Sequence, residues 1–301
     1  MHLDGVLVPV PTPFRDDAPD LPQLQSNVRR YLTTGLRGIV ALGSSGEAPL
    51  LDEAESDRVI EAARDAVPPH FILIAGTGRE STRATIEATR RAAAAGADAV
   101  LVRTPSYFKA QMTAEVFVEH YRAVADASPV PVLLYNVTVF TGVNLAPAAV
   151  ARLAAHPNIA GMKESGGDIT QIAEIVALVP DRFRLFAGSA TTFYPALCAG
   201  AAGGILALAC VVPELMVRMA DLVRTGRHED ARLLQQQVAP LAKLVTTRYG
   251  VSGLKTACAL AGYPSGMARP PLLAPSPEAR DEIARALALV TALAADTVEG
   301  A

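Results

Sequence analysis

Only four lysines, Lys109, Lys163, Lys243 and Lys255, stand among the 27 basic residues of this 301-residue chain. Lysine can supply a nucleophilic amine and arginine cannot, so each of the four bears on what the chain could do. Lys163 closes a short apolar run, Ile-Ala-Gly-Met-Lys-Glu-Ser over 159–165. Strand alternation puts Ile159, Gly161 and Lys163 on one face. If that face turns into a barrel, the amine is desolvated, which favours its neutral form and frees it to attack a ketone carbon. The alternative is a strand-end lysine that snorkels to water or pairs with Glu164.

Other residues that could act with it also fall at the ends of apolar runs. Gly43-Ser44-Ser45-Gly46-Glu47 follows the second run. Its glycines let backbone N–H groups approach an anion, and the two hydroxyls add donors, as a carboxylate beside the amine would require. The alternative is an ordinary helix-entry loop with serine caps. Tyr135 ends the fifth run and carries a phenol that can both donate and accept a proton, or it is a core tyrosine. Tyr107 follows the fourth run in Thr104-Pro105-Ser106-Tyr107. Gly188-Ser189-Ala190 with Gly203-Gly204 could cradle a phosphate, although no basic side chain stands nearby in sequence. Gly-Thr-Gly-Arg-Glu-Ser over 76–81 has only half of a dinucleotide-binding loop and no acidic partner. The five histidines pair with no carboxylate or cysteine at metal-ligand spacing.

These positions need a scaffold. Eight apolar runs begin at Gly5, Gly38, Phe71, Ala99, Val130, Ile159, Arg184 and Gly203, roughly 20 to 33 residues apart, a spacing that suits repeated βα units. Their continuous hydrophobicity suits strands buried on both faces. Amphipathic helices are predicted between them, for example over 82–95 and 114–127, with Asp52 and Thr113 as helix N-caps. Eight such units predict a closed (β/α)8 barrel, an α/β TIM barrel, rather than an open doubly wound sheet. Helices are predicted beyond it over 213–225, 228–249, 252–261 and 277–295, with a proline-rich loop over 262–277. The expected division is a catalytic barrel over 1–225 and a C-terminal helical region over 226–301.

Half of the residues are hydrophobic, enough for a large core, and the net charge of −3 supplies no basic field for nucleic acid or membrane. No apolar run reaches about 18 residues, and the start lacks the pattern of a signal peptide. Three cysteines in apolar surroundings without paired spacing read as buried thiols in a reducing cytoplasm.

Taken in order, GSSGE at 43–47, ADAVLVRTPSYF at 97–108, PVLLYNV at 131–137, GMKESGGD at 161–168, AGS at 187–189 and GLK at 253–255 resemble the dihydrodipicolinate synthase / N-acetylneuraminate lyase superfamily. These are class I, Schiff-base-forming aldolases, and the resemblance covers nearly the whole chain. It implies Lys163 as the imine-forming lysine and Tyr135 as the proton shuttle. Ser44 would link Tyr135 to Tyr107, the last reaching in from a neighbouring subunit. Ser44 and Ser45 would bind the pyruvyl carboxylate, Gly188 would belong to the substrate pocket, and Ile205 would line it. No metal or organic cofactor is implied. A homotetramer, or at least a homodimer, is.

Phe140 stands where lysine-producing synthases place an arginine that grips the second substrate's carboxylate. A phenyl ring cannot make that ionic contact. Glu53, Ser56, Glu80, Ala84 and Ser106 stand where feedback-inhibited synthases bind lysine, and none matches. GSSGEAPLL, HPNIAGMKESGGDIT and VTTRYGVSGLK are closer to 4-hydroxy-2-oxoglutarate aldolases, which implies Ser165 as an extra substrate contact. Thr138 departs from that pattern, where proline is usual. The expected activity is therefore reversible cleavage of a 4-hydroxy-2-oxo acid, foremost 4-hydroxy-2-oxoglutarate, to pyruvate and an aldehyde such as glyoxylate. The alternatives are a condensing enzyme like dihydrodipicolinate synthase, a 2-keto-3-deoxy sugar-acid aldolase or dehydratase, and a non-catalytic barrel that binds pyruvate-like ligands.

Overall fold

Each apolar run becomes a strand in the computed structural model, which describes residues 3–295. The strands are β1 (Gly5–Pro9), β2 (Gly38–Ala41), β3 (Ile72–Gly76) and β4 (Ala99–Arg103), then β5 (Val132–Asn136), β6 (Ile159–Glu164), β7 (Arg184–Ala187) and β8 (Gly203–Ile205). Each pairs in parallel with its sequence neighbours, and β8 returns to β1 through Gly5 opposite Gly203, closing the expected barrel. Between them run α1 (Leu21–Tyr31), α2 (Glu53–Ala66), α3 (Thr82–Ala94), α4 (Ala114–Ala127), α5 (Pro147–Ala154), α6 (Ile169–Leu178) and α7 (Phe193–Cys198). Asp52 caps α2 in a reciprocal box with Glu55, and Thr113 caps α4, as the sequence predicts.

Strand alternation divides the core into two layers. Leu7, Val40, Ile74, Leu101, Leu133, Tyr135, Phe186 and Ile205 pack inside the barrel. Val8, Ile39, Leu73, Val100, Leu134 and Met162 pack outward against the helices. The alternation fails once, and at an informative place. Val132 is opposite Ile159, but Leu133 is opposite Gly161, so Ala160 is an extra, bulged residue on β6. Ile159 therefore joins the outer layer with Met162, while Ala160 packs toward the inner one. The expectation that Ile159 shares a face with Lys163 is overturned; the bulge resets the phase, and of the three only Gly161 and Lys163 share the inward face.

Beyond the barrel lie α8 (Pro213–Arg224), α9 (His228–Lys243), α10 (Gly250–Leu260) and α11 (Pro277–Ala295). The single helix expected over 228–249 instead gives way to a wider π turn at Leu244–Arg248. Cys210 and Cys258 are buried as expected, but Cys198 is exposed, because α7 ends there at the surface beside His228. Among the described residues, no helix is long and apolar enough to cross a membrane.

His120 on α4 supplies a test of the packed outer layer. Its ring is only 5% exposed, with Nδ1 2.9 Å from the Thr82 hydroxyl. Burial pulls its pKa from the ordinary 6.5 down to about 4, against a weaker upward pull from Glu80. The folded state thus binds fewer protons than the unfolded chain, and stability falls as pH drops from 6.5 through 4. The loss from this one ring is about 3 kcal/mol by pH 4. His120→Asn, which can keep the bond to Thr82 and cannot titrate, is expected to flatten the urea midpoint between pH 6.5 and 4. An unchanged slope would remove His120 as its source.

Candidate active site

Lys163 and Tyr135 face each other across the β5–β6 pair, directly opposite in register. The lysine is 4% exposed, and its Nζ lies 4.5 Å from the centroid of the Tyr135 ring. That burial disposes of a lysine snorkelling to water. Glu164 is not its partner either, since alternation turns it away. The Glu164 carboxylate accepts from Asn136 Nδ2 at 2.7 Å, Gln171 Nε2 at 3.0 Å and the Gly166 N–H at 2.5 Å. Burial pushes that carboxyl above the ordinary carboxylate range, while these donors pull it back. Asn136 also bonds Asn144 and the Leu145 N–H, so this buried group ties the loops after β5 and β6 together beside Lys163. The sequence reading missed this role; the paired Asn136 and Glu164 at adjacent strand ends were its only signal.

Tyr135 leads to the serine loop. Its hydroxyl lies 3.2 Å from Ser44 Oγ. The loop folds tightly, with the Gly46 N–H donating to the Gly43 carbonyl and the Glu47 N–H to the Ser44 carbonyl. Among the described residues, the amide N–H groups of Ser44 and Ser45 donate to no protein acceptor, which leaves them free for an anion. Gly76 at the end of β3 makes room for this loop, since a Cβ there would sit 1.9 Å from the Leu42 carbonyl oxygen. Ile205 is fully buried in the same inner layer as Tyr135.

Ser165 and Gly188 meet on the other side of Lys163. A Cβ on Gly188 would fall 1.8 Å from Ser165 Oγ, so only glycine admits the hydroxyl. That oxygen is buried and has no hydrogen-bond partner among the described residues.

Tyr107 is not brought to Ser44 within one chain. Its ring is 78% exposed and stacks edge-on with Phe108. Its backbone is fixed, because Glu80 accepts the N–H groups of both Ser106 and Tyr107. Burial raises the Glu80 carboxyl, but those two N–H groups and Arg103 outweigh it and hold it below its ordinary value. Phe140, also exposed, sits on the short helix Thr138–Thr141 after β5.

A cavity of about 280 Å³ opens beside Ser44 and Tyr135. Ser44, Tyr135, Leu101 and Gly76 form its inner wall, and Arg79, Glu80 and Arg103 its outer one. It stops short of Lys163, whose Nζ lies over the Tyr135 ring. The outer arginines are already paired, Arg79 with both oxygens of Glu53 and Arg103 with Glu80.

Residues 2–290 match the description of the Dihydrodipicolinate synthetase family. The chain belongs to that family. It is accordingly an enzyme of the class I aldolase type, as the sequence led us to expect. A 4-hydroxy-tetrahydrodipicolinate synthase of Geotalea uraniireducens is 39% identical over 275 residues, 91% of this chain and 94% of the relative. The 4-hydroxy-tetrahydrodipicolinate synthase of Methylacidiphilum fumariolicum superposes with a TM-score of 0.94 at 27% identity, covering 99% of each chain. A chloride-inhibited dihydrodipicolinate synthase of Acinetobacter baumannii complexed with pyruvate superposes with a TM-score of 0.89 at 30% identity, covering 96% of this chain and 99% of that one. These family members are named for the condensing synthase, the alternative in the sequence reading, and not for 4-hydroxy-2-oxoglutarate aldolase.

Proposed function

We propose that this enzyme cleaves and re-forms the C3–C4 bond of a 4-hydroxy-2-oxo acid, foremost 4-hydroxy-2-oxoglutarate, through an imine on Lys163. The observation that carries the reading is the line of side chains from Lys163 over the Tyr135 ring to Ser44. The free N–H groups of Ser44 and Ser45 receive the C1 carboxylate. The Lys163 amine adds to C2, and loss of water gives the protonated imine. Tyr135 takes the C4 hydroxyl proton, the C3–C4 electron pair moves into the imine to form an enamine, and the aldehyde departs. Protonation at C3 and hydrolysis release pyruvate and restore Lys163. Ser165, with its unpartnered buried hydroxyl beside Gly188, contacts the substrate, and Ile205 closes the pocket behind it.

The relatives' names favour a second reading, condensation of pyruvate with aspartate semialdehyde. Phe140 weighs against it, because no guanidinium stands at that position to grip the aminoaldehyde's carboxylate. Turnover of 4-hydroxy-2-oxoglutarate in cleavage, against aspartate semialdehyde in condensation, decides between them. Cleavage is expected to have the higher kcat/KM. Phe140→Arg is expected to raise kcat/KM for aspartate semialdehyde by about tenfold, the worth of one charge-assisted hydrogen bond. A wild-type enzyme that condenses faster than it cleaves would establish the second reading.

We also propose that Tyr107 completes the site from a second copy in a homodimer or homotetramer. Its fixed backbone and exposed ring suit that role, and a monomer active at assay concentration in sedimentation would exclude it.

A further inference from the structure

Glu47 ends the serine loop and is nonetheless one of the most deeply buried carboxylates in the chain. Its backbone is left-handed, at φ 56°, a conformation that residues bearing a Cβ rarely adopt. Three groups from elsewhere hold the turn in place. Lys255 Nζ, on α10, lies 2.5 Å from Glu47 Oε1, with both side chains almost wholly buried. The Arg269 N–H donates to Glu47 Oε2 at 2.7 Å. The Thr12 hydroxyl donates to the Gly46 carbonyl at 2.7 Å.

Lys255 also donates to the Met267 carbonyl at 2.9 Å and lies 4.4 Å from the centre of the Phe14 ring. The Arg269 guanidinium packs on the same ring and binds both oxygens of Glu55. The loop that offers Ser44 and Ser45 to an anion is thus pinned at its far end by Lys255 of α10 and the Arg269 N–H of the loop that follows it, with one further bond from Thr12 after β1.

We infer that Lys255 and Glu47 are a positioning pair for the substrate's carboxylate, acting through the backbone of Ser44 and Ser45. The inference rests on the imine reading above. The pair touches no reacting atom. A buried ion pair is poor evidence for stabilisation, because desolvation offsets its attraction. Holding a left-handed turn in one geometry is a role that such a pair can fill and an apolar pair of similar size cannot.

The test separates position from stability. Lys255→Met leaves Glu47 buried without its cation and is expected to lower the melting temperature. It is also expected to raise KM for the 2-oxo acid by about tenfold or more, with kcat changed far less. Borohydride trapping with saturating pyruvate still labels Lys163 fully in that variant. In Glu47→Gln/Lys255→Met no buried charge is unpaired, so the melting temperature recovers while KM stays high. Should Lys255→Met fail to fold, the double variant carries the test alone. KM returning to the wild-type value along with the melting temperature, or never rising, would overturn the inference. Wild-type enzyme that gives no adduct at Lys163 would instead sink the imine reading on which it rests.

Discussion

Lys163→Ala folds and shows no turnover above about 10⁻⁵ of the wild type, a loss on the order expected when a covalent nucleophile is removed. No other amine can take its place. Lys255 is the only other lysine buried to the same degree, and it is held by Glu47 and the Met267 carbonyl. Lys109 and Lys243 are exposed. Mass spectrometry after borohydride reduction with pyruvate gives the direct reading. Wild-type protein should gain one reduced pyruvyl group, mapped to the peptide holding Lys163, and the variant none. An adduct on another lysine, or retained activity in Lys163→Ala, would refute the imine at this position. The truncation opens a cavity in a buried site, but it also removes a buried amine, so circular dichroism should report an intact barrel.

Tyr135→Phe has the second largest expected effect, a fall in kcat on the order of 10³-fold with KM nearly unchanged. General acid–base groups contribute roughly 10²–10⁴-fold when they meet the reacting proton in the transition state. The variant keeps the ring on which Lys163 rests and the serine loop that receives the carboxylate, so binding persists. What it loses is the hydroxyl that lies 3.2 Å from Ser44 Oγ. Imine formation, followed by single-turnover trapping, is expected to slow with it, since carbinolamine collapse also needs a proton moved. A variant that kept more than about a tenth of its kcat would show that the proton travels by another route.

The parts of this candidate site that are legible in the sequence are those set by local pattern. Lys163, Tyr135 and Ser44 each close an apolar run, and strand ends of a parallel barrel gather at one mouth whatever the intervening helices are. Even there, Lys163 points inward as the strand pattern predicts, but Ile159 does not share its face. Ile159 points outward because Ala160 is bulged, and a bulge leaves no mark on hydrophobic periodicity. Glu47 and Lys255 stand in GSSGE and GLK, but nothing in one dimension pairs them, because their meeting depends on how α10 packs back on the β2 loop. Cys198 is exposed where its apolar neighbours predict burial, since they do not reveal which side of a helix end meets water.

The short helix that carries Phe140 has a consequence for how such enzymes diversify. It stands on Asn136, whose side chain holds Asn144 and the Leu145 N–H beneath it, while Val139 and Phe140 project away from every packed layer. Changes at those two positions can therefore be inherited without a penalty in folding. One ancestral barrel could vary that turn while the strands that hold Lys163 and Tyr135 passed on untouched, a division of labour in which lineage resides in the strands and novelty in a single turn.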